Sequence, residues 1–227
     1  MTTFVLLLLG CSQSEVSYYS NPNVFTLQEF NNNTEIGDYQ LSIVNGALII
    51  STKSKEYEVS LPDNYSSIQS FHFSYDNRFL AYDVMGENGV KFFVVNLETG
   101  ERINLSDTVG HLYDYDGYQS PFGIAWGPNK NVIAIIGGDN ESARIDLYHL
   151  EGKQSSGGSF IFEDVYGIKW DSIGESIYYI VDSFENENMY TLYQTEIESD
   201  NYLLGGTVNV ITEVNEEGFD NWLNKEG

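Results

Sequence analysis

A single cysteine, Cys11, in 227 residues excludes an intramolecular disulfide and any cluster of thiolates around a metal. Basic residues are scarce as well: ten Lys and Arg stand against 34 Asp and Glu, for a net charge of -24. Such a field repels nucleic-acid phosphates and anionic lipid head groups, so no nucleic-acid partner is expected. No apolar run approaches the roughly twenty residues that a membrane-spanning helix needs. The three histidines, His72, His111 and His149, are too far apart in sequence to form a short-spaced metal-binding pair. There is no Gly-x-Ser-x-Gly elbow, no phosphate-cradling Gly-Lys-Ser/Thr loop and no basic stripe with aromatics. Carboxylates are so abundant that no pair can be singled out as catalytic. No cofactor, metal site or enzymatic activity is expected.

What the chain does have is the composition of many short strands: 17 Tyr, 13 Phe and 21 Gly against four Pro, with Gly and Asn to make turns. Its length suits one domain. The surplus of carboxylates reads first as solubility; the functional alternative is a basic partner or bound cations.

Near the start, Phe4 to Leu9 is a compact apolar run that meets Gly10 and Cys11, long enough for a minimal secretion signal. Leu8-Leu9-Gly10-Cys11 resembles the lipobox of bacterial lipoproteins, whose cysteine is acylated. The resemblance implies a signal peptide over 1–10 and lipidation at Cys11. It also implies a place on the extracytoplasmic side of a bacterial cell envelope, with the membrane touched only through lipid. With Cys11, the polar stretch SQSEVSYYSNPN gives a tether over 11–23. A folded body is expected over 24–214 and a tail over 215–227, and no window shows a convincing helical period.

Within the body a unit repeats. Residues 71–82, FHFSYDNRFLAY, align without a gap on 124–135, IAWGPNKNVIAI, and on 168–179, IKWDSIGESIYY. Each copy has an aromatic residue (Phe73, Trp126, Trp170), a polar turn and a second apolar strand, which is the pattern of a hairpin. Third strands follow at KFFVVNL, RIDLYHL and YTLYQTEI, and in the first copy Glu98-Thr99-Gly100 turns into a fourth. The spacings between copies, 53 and 44 residues, are those of four-stranded propeller blades. Residues 39–61 read as a degenerate earlier blade around an Asn45-Gly46 turn. The expected fold is therefore all-β: a β-propeller of four-stranded antiparallel blades, about four of them, small or incomplete as a ring. Trp126 and Trp170 are expected to be equivalent buried residues.

The unit is similar to the TolB-type propeller repeat, which reads apolar, any residue, Trp or Phe, Ser-Pro-Asp-Gly, two variable residues and apolar-Ala-Tyr. FHFSYDNRFLAYDV carries Ser74, Asp76, Leu80, Ala81 and Tyr82 of it, with Tyr75 and Asn77 where Pro and Gly are usual. Such repeats serve as protein-binding platforms, as non-catalytic halves of peptidases and as glycan-handling modules, so the resemblance implies a fold and leaves the activity open.

The nine residues by which the first spacing exceeds the second lie in SDTVGHLYDYDGYQSP, residues 106–121. His111, Tyr113, Asp114, Tyr115, Asp116 and Tyr118 of this connection are the candidate binding residues, because clustered tyrosines on a loop held by a rigid scaffold give contact area at low entropic cost. The alternative is a packed inter-blade loop. Asp114-Tyr115-Asp116-Gly117 hints at calcium, but the twelfth position of an EF-hand counted from Asp114 is Ala125. A solvated acidic turn fits better. The turn at 137–141 is the next candidate. Together these features suggest a non-catalytic, lipid-anchored envelope protein whose propeller binds an envelope protein or other component. The alternatives are a glycan or small-ligand binder, with or without calcium, and a polysaccharide lyase or hydrolase.

Overall fold

The computed structural model describes residues 17–19, 21, 24–26, 34–44, 47–59, 65–86, 89–109, 122–139, 142–161, 164–186, 188–198 and 203–224. A short strand, β1 (Val24–Thr26), precedes four antiparallel sheets. Blade one comprises β2 (Thr34–Ile36), β3 (Tyr39–Val44), β4 (Ala47–Ser51) and β5 (Glu56–Val59). Blade two comprises β6 (Tyr65–Phe73), β7 (Phe79–Gly86), β8 (Gly89–Asn96) and β9 (Arg102–Asn104), followed by the five-residue helix α1 (Leu105–Val109). Blade three comprises β10 (Ile124–Trp126), β11 (Val132–Asp139), β12 (Ser142–His149) and β13 (Gln154–Ile161). Blade four comprises β14 (Val165–Trp170), β15 (Ser176–Asp182), β16 (Tyr190–Glu198) and β17 (Leu203–Val214), and helix α2 (Glu216–Asn224) ends the fold. The strands follow one another in sequence order within each sheet, as in propeller blades.

The repeat motif has a direct physical basis. In the turn between β6 and β7, the Ser74 hydroxyl donates to Asp76 (2.8 Å) and accepts from the Phe79 amide (3.0 Å), while Asp76 also accepts from the Arg78 amide (3.1 Å). Position 77 has φ +56°, a left-handed conformation that Asn tolerates; Gly174, at the matching place in blade four, has φ +80°. In that blade Asp171 takes over the part of Asp76, accepting from the amides of Gly174 and Glu175.

Both tryptophans are 1% exposed and stitch blades together. Trp126 donates its indole N–H to the carbonyl of His72 (2.8 Å), and Trp170 donates to the carbonyl of Ala125 (3.0 Å). Each acceptor is the residue just before the aromatic of the preceding blade, so one interaction repeats around the axis. Around these stitches the blades are apolar on both faces. In β7, Leu80, Tyr82 and Val84 pack towards blade one, and Phe79 and Ala81 towards blade three.

The ends of the array are finished differently from its middle. On blade four, Ile177, Tyr179 and Val181 face blade three, while Tyr178, Ile180 and Leu192 face away and are covered by Phe219, Trp222 and Leu223 of α2. Asn215 caps that helix by accepting from the Gly218 amide (3.0 Å), and Glu216 and Glu217 suit the positive end of its dipole. Gly167 permits the approach, since a Cβ there would lie 2.7 Å from Leu223 Cδ2. The outward face of blade one carries Gln40, Glu56 and Glu58, all exposed. They share that face with Val44, which is exposed, and with Ala47 and Ile49, which are half-buried. Among the described residues no hydrophobic cluster joins blade four to blade one. Blade four is thus covered by α2 on the side away from blade three.

Two features depart from the sequence-based expectation. Helix α2 occupies part of the stretch read as a tail, in a chain where no helical period was apparent. Residues 17–19, read as tether, are docked: Tyr18 is 8% exposed and stands edge-on to Tyr178 and Trp222, with ring centroids 5.1 and 6.1 Å away. The Tyr19 amide donates to the Trp170 carbonyl (2.9 Å), and the Ser172 amide donates to the Ser17 carbonyl (3.0 Å). Asn21 reaches the Phe73 carbonyl (2.7 Å), and β1 then pairs with the inner strand β6. This segment satisfies the inner edges of blades two and four, which would otherwise expose unpaired backbone groups.

Candidate interaction face

Strand direction gives the blades two faces. One, the motif face, holds the first-to-second-strand turns (74–78, 127–131, 171–175) and the third-to-fourth-strand turns such as 52–55, 97–101 and 150–153. The other, the connection face, gathers the links between blades and the turns between second and third strands. The candidate loop leaves α1 after Val109 and returns before β10, so both its ends are fixed on the connection face. His111, Tyr113, Asp114, Tyr115, Asp116 and Tyr118 themselves lie outside the described residues, as do Cys11 and residues 140–141 of the second candidate turn. That turn joins β11 to β12 on the same face.

The connection face also holds a residue that sequence reasoning missed. Phe184, in the turn between β15 and β16, is 92% exposed, yet its turn is firmly held. Ser183 donates its hydroxyl to Glu213 Oε1 (2.6 Å), Asn186 donates to both oxygens of Glu213 (3.2 and 3.0 Å), and the Ser183 amide bonds the Met189 carbonyl (2.8 Å). A large aromatic ring held in water by an ordered turn gains nothing for the fold. The signal was one Phe in the otherwise polar run Ser183-Phe184-Glu185-Asn186. Met85 and Val44, beside the corresponding turns of blades two and one, are also exposed.

The described cations are unevenly placed, although the motif face also carries Asp38, Asp76, Glu98, Glu101, Glu151, Asp171 and Glu175. Lys53, Lys55, Arg78, Lys130 and Lys153 all sit in turns of the motif face. Around blade four, the connection face carries Asp164, Asp182, Glu185, Glu213, Glu216 and Glu217. The described cations nearest this face, Lys91 and Arg144, are paired with Asp107 (3.2 Å) and Asp146 (2.8 Å). The tyrosines report the field: burial first, then the hydrogen bond to Asp182 and the charges of Asp182 and Asp164, push ionisation of Tyr166 up. Tyr190 is shifted in the same direction, by burial and then by Asp182, Glu216 and Asp220.

The largely apolar seam between blades two and three holds one buried polar cluster. Ser70, His72 and Asp83 are at most 1% exposed. The Ser70 hydroxyl and amide both donate to Asp83 Oδ1 (2.6 Å each), and the hydroxyl lies 2.8 Å from His72 Nε2. With the hydroxyl proton on Asp83, the imidazole is the donor in the last contact. Serine stands between the carboxylate and the imidazole, so the cluster is not wired as a nucleophile, base and orienting acid. Its role is structural, where Ile136 of blade three takes the position that Asp83 has in blade two. Burial lowers the pKa of His72 from 6.5 to about 3. The unfolded chain therefore binds a proton that the folded one refuses, and stability is lost as pH falls from about 6.5 towards 3. His72→Gln should flatten urea-derived stability against pH in this window by about 1.4 kcal/mol per pH unit. An unchanged slope would mean that the imidazole is hydrated in the folded protein. His149, at the end of β12, accepts from the Gly152 amide (3.3 Å).

No protein-family model matches the chain. No curated protein matches it in sequence either. Solved structures do resemble it. The propeller domain of the trilobed protease of Pyrococcus furiosus, described as having an open velcro topology, matches at TM-score 0.48 and 12% identity over 80% of this chain and 56% of that one. Oligogalacturonate lyase in complex with manganese matches at TM-score 0.48 and 12% identity, over 82% of this chain and 55% of that one. A protein assigned as TolB from Agrobacterium tumefaciens matches at TM-score 0.39 and 10% identity, over 79% of this chain and 78% of that one. What they share is the propeller. The chain spans just over half the length of the first two, and at these identities the likeness concerns the fold alone.

Proposed function

We propose that this chain is a non-catalytic, lipid-anchored module of a bacterial cell envelope that binds a protein partner through its connection face. The observation that carries the reading is Phe184, 92% exposed on a turn locked by Glu213, on the face where the Tyr113 to Tyr118 loop is rooted. Aromatic anchors dominate interface energies, and a surrounding field of one sign selects partners of the other. The partner is therefore a protein with a basic rim and an apolar socket. The anchor supports the same orientation. Only five residues separate Cys11 from Ser17, which is docked at Ser172 on the motif face. Even fully extended they reach about 20 Å, so lipid at Cys11 would hold the motif face towards the membrane and leave the connection face free.

Two arms of one experiment test this. Labelled palmitate should enter the wild type and not Cys11→Ala; equal labelling would remove the anchor from the proposal. Replacing Phe184, Tyr113, Tyr115 and Tyr118 by Ser should leave the urea midpoint nearly unchanged and weaken partner binding roughly 30-fold or more. Full binding by a folded variant would place the interface elsewhere.

A further inference from the structure

Strand β17 is the longest of the described strands and forms the outer edge of blade four, hydrogen-bonded to β16 on one side and to no described strand on the other. An open edge is a template for another strand, and proteins usually blunt it with charge, proline or shortness. The outer strand of blade one carries Glu56 and Glu58, and that of blade two is three residues long and runs into α1. β17 has none of these devices. From Leu203 to Thr212 it holds no charged residue and no proline, in a chain of net charge -24. Val208, Val210 and Ile211 are three of the eight large hydrophobic side chains that stand exposed among the described residues, Val210 at 62%. Pairing with β16 is regular from Val208 to Val210 and shifts register on either side, so the stretch that offers a further strand an even edge is short.

We propose that β17 pairs antiparallel with β17 of a second copy of this chain, about a two-fold axis at Asn209. Val208 of each copy then lies opposite Val210 of the other, and cross-strand pairs of β-branched residues are favourable on such a surface. Residues 208 and 210 leave the sheet on the same side, so both pairs form on one face. A two-fold contact brings a surface against itself and must not repel itself. This uncharged strand meets that condition, whereas the net charge of the chain opposes self-association in general. A basic partner would find no carboxylate between Leu203 and Thr212 to recognise. The buried area is small, so the association is weak, with Kd on the order of 100 µM, and the chain is monomeric at the low concentrations of a urea melt. The contact rests on neither the connection face nor the lipid anchor, so its failure would leave the proposed partner binding standing.

Sedimentation equilibrium of the purified chain between about 10 and 500 µM, a range that brackets this affinity, tests the proposal. A monomer–dimer equilibrium should appear, and it should tighten as salt rises, because salt screens the repulsion between two acidic bodies. Amide exchange at residues 207–211 should slow as concentration rises. Val210→Lys should weaken the dimer roughly tenfold or more, while Val44→Lys, at an exposed position outside β17, should not. Dilute urea melts confirm that both variants are folded. A chain that stays monomeric at the highest concentration in high salt would overturn the proposal and leave the edge to an extended segment of another protein. A dimer that weakens with salt, or one that Val210→Lys leaves intact, would overturn it as well.

Discussion

Replacing Trp126 or Trp170 by Ala should lower the free energy of unfolding by about 3–5 kcal/mol, the cost of truncating a large core aromatic. Both side chains are 1% exposed and both hold adjacent blades through the indole N–H. The Phe variants separate the two contributions. They keep an aromatic ring but leave the carbonyl of His72 or Ala125 without its donor, and should cost about 1–3 kcal/mol. Urea melts of the four variants decide the matter. A cost below about 1 kcal/mol for both Ala variants would mean that the stitches carry little of the stability.

That the two tryptophans are equivalent was legible from their place in the repeat, because each sits between a short strand and a turn whose polar residues have local jobs. Ser74, Asp76 and Asn77 can be read as a turn from chemistry alone, and the structure uses all three in it. The degenerate first blade was legible for the same reason: Val44 pairs with Ala47 on either side of Asn45-Gly46. The pairing of residues 17–19, 21 and 24–26 with blades two and four was not, since their partners lie more than forty residues away and the stretch has no period of its own. Helix α2 left a faint trace, three apolar residues at 219, 222 and 223 in the spacing of one helical face. Nine residues with a glycine among them are too short for that pattern to stand out. The candidate loop stood out by its excess length and clustered tyrosines, whereas the exposure of Phe184 was not legible, because a lone Phe between strands reads as core.

The second large effect concerns α2. Ending the chain after Val214 should abolish a cooperative, monomeric unfolding transition. Phe219, Trp222 and Leu223 are each 6% exposed, and burying side chains of this kind contributes about 1.5–3 kcal/mol apiece. That sum is a large part of the roughly 5–15 kcal/mol that holds a domain together. Losing the helix would also bare Tyr178, Ile180 and Leu192 of blade four and strip Tyr18 of its Trp222 contact. The uncovered face is apolar and should associate, which size-exclusion chromatography with light scattering would register. A truncated chain that stays monomeric with an unshifted urea midpoint would show that blade four needs no cap.

The central functional claim is that the connection face meets the partner and the motif face does not. Position 184 is 92% exposed on the first and Ile173 is 64% exposed on the second, so a photo-reactive amino acid at each site, in otherwise identical protein, compares the faces directly. Cross-links to envelope proteins from position 184 and none from position 173 are the predicted result. Cross-links from position 173 with none from position 184 would contradict the account.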